Sequence, residues 1–245
     1  IVPVCQYIKW AVERQLNDLK RQGTPDFPYF FDEEEADRVI RFISILRHTS
    51  DQWKGKQFNI QDFQAFRWAV IFGWQHKDGT GRRFRRAFVE VARKQGKTQE
   101  AAAIMLAGLI ADDVQTAEIY SAATTRQQAR IVYDAARMMA RDLRKDSDFM
   151  RDRLKIMAHR IIYEPTDSFM QALSAEAGTL DGLSPCIAVI DEFHAHKSNE
   201  VLKVIETGMG ARQSPLTYII TTAGFNFESP WYHMRPAVPV GATPI

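Results

Sequence analysis

The sequence predicts an α/β fold built on a mainly parallel sheet flanked by helices, and three observations predict it. Short apolar or β-branched runs alternate with longer helical stretches from residue 83 onward. A Gly-Lys-Thr triplet follows one such run and opens a helical stretch, and another run ends in two acids. Parallel strands need crossover connections and are buried on both faces, so this alternation is their signature.

The elements follow in order. Tyr7, Ile8, Ala11, Val12, Leu16 and Leu19 keep helical spacing, and Gly23-Thr24-Pro25 ends that helix. A second helix starts at Asp32, with Glu35 in capping-box position and Ala36, Val39, Ile40, Ile43 and Leu46 along one face. These two helices are expected to form an appendage or lid over residues 1–57, before a core at 58–235 and a tail at 236–245. Asp62 to Phe72 reads as an aromatic-rich helix, and Asp78-Gly79-Thr80-Gly81 as a turn. The expected strands are Phe84 to Val91, Glu118 to Ala122, Arg160 to Tyr163, Ile187 to Ile190 and Thr217 to Thr221. The stretches Thr98 to Leu109, Thr125 to Leu143 and Asn199 to Gly208 are the expected helices between them.

A chain of 245 residues, 45% hydrophobic and 25% charged, can bury a sizeable core. It begins at Ile1 rather than at a methionine, so a piece of a longer protein is expected. The longest near-apolar run, Ala101 to Ala111, falls short of the roughly 20 residues that span a bilayer, and a soluble, intracellular protein is expected. Cys5 and Cys186 are too few for a disulfide framework or a zinc site and read as small buried hydrophobes. The net charge of +2 does not argue for nucleic acid by itself, yet Lys77, Arg82, Arg83, Arg85, Arg86, Arg93, Lys94 and Lys97 fall close together. A solvated edge strand entering a phosphate site is the plainer reading, set against a surface that touches DNA phosphates.

The chemistry is carried by three segments. In Val91-Ala92-Arg93-Lys94-Gln95-Gly96-Lys97-Thr98, backbone N–H groups at a helix start can converge on a phosphate. Lys97 would reach the terminal phosphates and the Thr98 hydroxyl would bind Mg²⁺. The usual pattern begins with glycine where this chain has Val91. Asp191-Glu192 ends the buried-strand run Ile187 to Ile190, at the sheet edge where open parallel sheets bind ligands. There Asp191 can hold Mg²⁺ and Glu192 can polarise the attacking water, although both acids can also serve merely as helix caps. Tyr218 to Ile220 runs into the hydroxyls of Thr221 and Thr222 at the same edge. The order of phosphate loop, acidic strand and hydroxyl strand is that of a P-loop NTPase of the ASCE or RecA-like type, binding ATP with Mg²⁺.

These residues also carry a family resemblance. The glycine-poor loop Ala92 to Thr98, the segment Ile190-Asp191-Glu192-Phe193-His194 and Thr221-Thr222-Ala223-Gly224 resemble the large terminase subunits of HK97-type tailed phages over about residues 58–224. The resemblance implies Lys97, Thr98 and Asp191 as phosphate and metal residues and Glu192 as the catalytic glutamate. It further implies Arg93 as a γ-phosphate contact, Lys94, Gln95 and Gly96 as phosphate-loop residues, and Thr222 within the coupling motif. The stretch Phe58 to Gln64 resembles the family's adenine-binding segment, with Gln64 as the base contact. Such motors work as rings in which a neighbour supplies an arginine, and Arg212 is the candidate, against the plainer role of satisfying carbonyls at a helix end. The implied partners are double-stranded DNA, further copies of the chain, a portal protein and a small terminase subunit, in the host cell cytoplasm and without a membrane. A C-terminal nuclease domain is also implied by the family, but only Glu228 follows Gly224 as an acid, so this chain is expected to hydrolyse ATP without cutting DNA.

His194 and His196 flank Ala195 at a spacing unlike a helical zinc pair and are read as structural. Trp53, Trp68 and Trp74 are read mostly as core. Asp191-Glu192-Phe193-His194 also spells the box of superfamily 2 helicases, and a non-catalytic nucleotide-binding module is the more distant rival.

Overall fold

A computed structural model describes residues 4–173 and 182–234. In chain order the elements are α1 (Gln6–Arg21), β1 (Tyr29–Phe31), α2 (Glu33–Ser44), α3 (Asp62–Gly73), β2 (Trp74–His76), β3 (Arg86–Glu90), α4 (Lys97–Ile110) and β4 (Glu118–Ala122). There follow α5 (Arg126–Asp146), α6 (Asp148–Arg153), β5 (Leu154–Ile156), β6 (Ile161–Tyr163), β7 (Ser168–Ala172), β8 (Ile187–Asp191), α7 (Glu200–Gly208), β9 (Leu216–Thr221) and α8 (Pro230–Met234). The expected tail at 236–245 lies outside the described residues.

Seven strands form the main sheet in the order β3-β9-β8-β4-β7-β6-β5. The first five are parallel to their neighbours, and β6 and β5 add an antiparallel flange. The mainly parallel sheet is as expected. The strands β5 and β7 went unread because three to five residues flanked by charge carry little periodicity. Every residue of β8 and β9 is buried, as strands covered on both faces require.

Helix α4 is buried all round from Glu100 to Leu109, which explains a run apolar enough to lack a polar face. Its small residues let it lie close to the sheet. A Cβ added at Gly108 would stand 2.4 Å from Cδ1 of Ile187.

The expected division at residue 57 does not coincide with a break in packing. Val39, Phe42, Ile43 and Leu46 belong to the same core cluster as Ile104, Ile119, Val189 and Tyr218. Helix α2 is therefore a wall of the core, started by Asp32, whose carboxylate accepts from the N–H groups of Glu34 and Glu35. Glu35 pairs with Arg38 instead of closing the expected capping box. Helix α1 alone resembles an appendage, and it meets the body through buried Arg14 and Asp18, leaving Ile8, Val12, Leu16 and Leu19 exposed.

The basic run is mostly used internally, so its plainer reading is refined. Arg83 donates to Asp18 at 2.7 Å and lies over the rings of Phe27, Tyr29, Trp74 and Phe84. Arg82 binds buried Asp112 at 2.6 Å, and Arg86 binds Glu206 at 2.7 Å. Cys186 is buried as expected, whereas Cys5 is exposed. Trp68 and Trp74 are core, and Trp53 is half exposed.

Candidate active site

Strand β3 ends at Glu90, and the Val91 N–H donates to Thr221 O at 3.0 Å, so the phosphate loop leaves the sheet tied to β9. The loop turns through Lys94 (φ 65) and Gly96 (φ 77), both left-handed. Gly96 is the natural residue there because it has no Cβ to clash, and Lys94 bears a modest backbone strain of a kind that gathers at functional sites. Gly96 is the N-cap of α4 and supplies no side-chain cap, leaving the first-turn N–H groups facing the loop. Arg93, Lys94 and Gln95 are exposed, and Lys97 and Thr98 are half-buried at the helix start.

Asp191 and Glu192 stand at the carboxyl end of β8, two strands away from β3 across β9. Lys97 Nζ lies 3.5 Å from Glu192 Oε1, which brings the loop lysine and the acidic pair together. Asp191 Oδ1 accepts from the Glu192 N–H at 2.8 Å. Burial, and next the charge of Glu192, push the Asp191 carboxyl up to about 6, against an ordinary value of 3.8. A desolvated carboxylate next to a second acid gains from a cation, and the Thr98 hydroxyl on the first turn of α4 is the matching hard-oxygen donor. This donor set fits Mg²⁺ held together with phosphate oxygens. Among the described residues no group of three His, Cys, Asp or Glu side chains could hold a metal by itself.

Glu192 itself adopts φ 51, ψ 42, a left-handed conformation in a residue with a Cβ. Its N–H also donates to Ile220 O at 3.1 Å. The strain is thus held in place by the neighbouring strand. Thr222 Oγ1 reaches Glu192 Oε2 at 3.5 Å, which brings the expected hydroxyl residue into the site.

Two expectations meet a different geometry. Gln64 is buried, with Oε1 accepting from the Gln61 N–H at 3.1 Å and Nε2 donating to Glu100 at 3.2 Å. Both ends of its amide are engaged, so it is not presented to a base in this conformation. Arg212 is engaged more firmly. Its guanidinium donates to Ser184 O at 2.9 Å and Thr116 O at 3.1 Å and lies 3.8 Å from Glu118. These groups precede β8 and β4, so Arg212 clamps the amino edge of the sheet, one strand length or roughly 17 Å from the edge that holds Lys97 and Glu192. Those contacts engage the guanidinium within its own chain and favour the role of satisfying carbonyls; reaching a neighbour's nucleotide would require them to open.

The buried acid Glu100 was missed. It accepts from Gln64, from Arg67 and from the Tyr218 hydroxyl, joining α3, the phosphate-loop helix and β9. A charge standing directly before the apolar run Ala101 to Ala111 was its signal in the sequence.

The model of the terminase large subunit ATPase domain matches residues 62–238. The chain belongs to that family. The terminase large subunit of Enterobacteria phage HK97 is 34% identical over 149 residues, 57% of this chain and 28% of that protein. Protein YmfN of Escherichia coli K12 is 50% identical over 58 residues, 24% of this chain and 13% of its own. The crystal structure of the HK97 large terminase matches with a TM-score of 0.65 at 29% identity, covering 79% of this chain and 39% of that one. The ATPase domain of the Thermus phage P74-26 large terminase matches at TM-score 0.51 and 15% identity over 76% and 80%, a likeness of fold alone. The chain thus spans between 28% and 39% of the HK97 relative. The P-loop α/β fold and the resemblance read from the terminase motifs are both borne out, and the superfamily 2 helicase reading falls with them.

Proposed function

We propose that this chain is the ATP-hydrolysing motor domain of a viral terminase large subunit, moving double-stranded DNA into a procapsid. The observation that carries the reading is the meeting of Lys97 with Glu192 beside buried Asp191, at the carboxyl edge of a terminase-family sheet. Hydrolysis is attack of a water on the γ-phosphorus with departure of ADP. The loop N–H groups and Lys97 would bind the phosphates, and Arg93, exposed on the loop, would contact the γ-phosphate. Lys94, Gln95 and Gly96 complete the loop around the anion. Mg²⁺, held by Thr98 and Asp191, would withdraw charge from the phosphate oxygens. Glu192 orients the water and takes its proton, after the incoming phosphate has drawn Lys97 away from it.

An adenine contact by Gln64 requires that its bond to Glu100 or to Gln61 opens. Thr222, touching Glu192, would report the state of the phosphate to β9. The working assembly would be a ring of copies acting with a portal protein and a small terminase subunit in the host cytoplasm. DNA cleavage is not assigned to this chain, because the family match is to the ATPase domain alone.

The test is ATP hydrolysis by the chain and by Glu192→Ala, with and without double-stranded DNA, over a range of protein concentration. Turnover that rises per subunit with concentration and with DNA, and a silent variant that still binds nucleotide, would support the motor. Nucleotide binding without turnover in either protein would leave a non-catalytic module in its place.

A further inference from the structure

Glu192 is held by a side chain that the mechanism above does not use. His194, in the short turn Phe193–Ala195, sets Nδ1 3.1 Å from Glu192 Oε2 and 2.9 Å from Thr221 Oγ1. The partners decide where the hydrogen lies. The hydrogen bond of Nδ1 is the one to Thr221, and its approach to Glu192 Oε2 is an ion pair when the ring is protonated. Thr221 Oγ1 gives its own hydrogen to Thr222 O at 3.1 Å and accepts from the His194 N–H at 3.1 Å. It can therefore only accept from the ring. A neutral imidazole with its hydrogen on Nδ1 and an imidazolium both meet this demand.

The seat of the ring is shaped from a second direction. A Cβ at Gly224 would stand 2.9 Å from the His194 Cβ and 3.4 Å from its Cδ2. The ring can sit against Thr221 and Glu192 only because residue 224 carries no side chain.

We propose that His194 is the positioning residue for Glu192, tying one carboxylate oxygen to the end of β9 through Thr221 while the other faces the water. The proposal rests on the ATPase reading above. A glutamate has three rotatable side-chain bonds, and a base must hold its proton acceptor in one geometry to act. Lys97 cannot hold it there during the reaction, since it contacts Oε1 and is itself needed by the phosphate. His194 contacts Oε2 and has no competing duty. The Thr222 hydroxyl, at 3.5 Å from the same oxygen, is the weaker second tether.

The experiment compares His194→Ala, His194→Asn and Gly224→Ala with the parent chain. Steady-state ATP hydrolysis, affinity for a fluorescent ATP analogue and thermal melting are measured for each. His194→Ala is expected to lower kcat about 10-fold to 100-fold, the range for a misplaced group, with KM and nucleotide affinity within about twofold. Asparagine can place an amide N–H near the Nδ1 position, so His194→Asn should recover most of kcat. Gly224→Ala, which displaces the ring without removing it, should reproduce the loss. A kcat for His194→Ala within twofold of the parent would overturn the proposal and leave the ATPase reading standing. So would a joint loss of kcat, nucleotide affinity and melting temperature that asparagine does not repair. A parent chain that turns over no ATP at any concentration would overturn both.

Discussion

Replacing Glu100 by glutamine tests how far one buried charge holds the nucleotide edge together. The carboxylate is 1% exposed and accepts from Gln64 at 3.2 Å, from Arg67 and from the Tyr218 hydroxyl. Burial first, and the nearby Glu100 charge among the other causes, push the Tyr218 hydroxyl well above its ordinary range, so it remains a donor. Glutamine has nearly the same volume but one accepting oxygen, and its amide hydrogens must then face donors. Arg67 is left without its counter-charge in a largely buried place. Losing about two charge-assisted hydrogen bonds and stranding one cation costs about 4 kcal/mol. For a chain of 245 residues, an unfolding entropy of about 2.1 cal/mol/K per residue turns that into a melting-temperature drop of roughly 8 °C. Calorimetry supplies the number, and the double variant Glu100→Gln with Arg67→Met supplies the control. If stranded charge is the cause, the second substitution should recover more than half of the loss. A single variant melting within 2 °C of the parent, or a double variant that melts lower still, would refute the reasoning.

Three further outcomes follow from particular contacts. Because Asp191 titrates near 6 when folded and ordinarily at 3.8, the folded state takes up a proton between those values and stability falls as pH rises through that window. Asp191→Asn removes the effect, so it should stabilise the chain at pH 7.5 by up to about 3 kcal/mol and by little near pH 3.5. It should also abolish stabilisation by Mg²⁺ with nucleotide, read as a melting shift. Arg212→Ala should lower stability by about 2 kcal/mol through the carbonyls of Ser184 and Thr116, with kcat unchanged well below the melting point. A collapse of turnover in a folded Arg212 variant would restore the finger role. Gly81→Ala should cost about 2 kcal/mol or more, measured by urea unfolding, because φ is +101° and the new Cβ would stand 2.1 Å from Ser214 Oγ and 2.8 Å from Gln213 O.

What could be read before the structure was what local chemistry dictates. Strand β8 announces itself because the four consecutive buried residues Ile187 to Ile190 are all apolar before Asp191. The loop before α4 does so because only glycine takes its last conformation easily and only a cation suits its ligand. Helix α2 was legible as a helix, through Asp32 and its apolar face, but not as a core wall. Its partners are tens of residues away, and nothing in its own pattern distinguishes a lid from a wall. The contacts of Arg212 were illegible for a similar reason. Its distance from β9 in sequence is short, yet it sits before the strand rather than after it, and that decides which edge it serves. His194 passed as structural because its partners Thr221 and Thr222 arrive from another strand.

The position of β9 has a consequence for how the protein comes into being. Among the described residues this strand is the last of the sheet to be synthesised, yet it lies between β3 and β8. Until residue 222 has left the ribosome, the loop lysine and the acidic pair have a gap between them where β9 belongs. The Val91 and Glu192 N–H groups then lack Thr221 and Ile220 as acceptors. A growing or truncated chain therefore presents no finished nucleotide edge, and closing it joins segments more than a hundred residues apart, a slow event by the logic of loop closure. The nucleotide edge is thus complete only in chains in which β9 has joined the sheet.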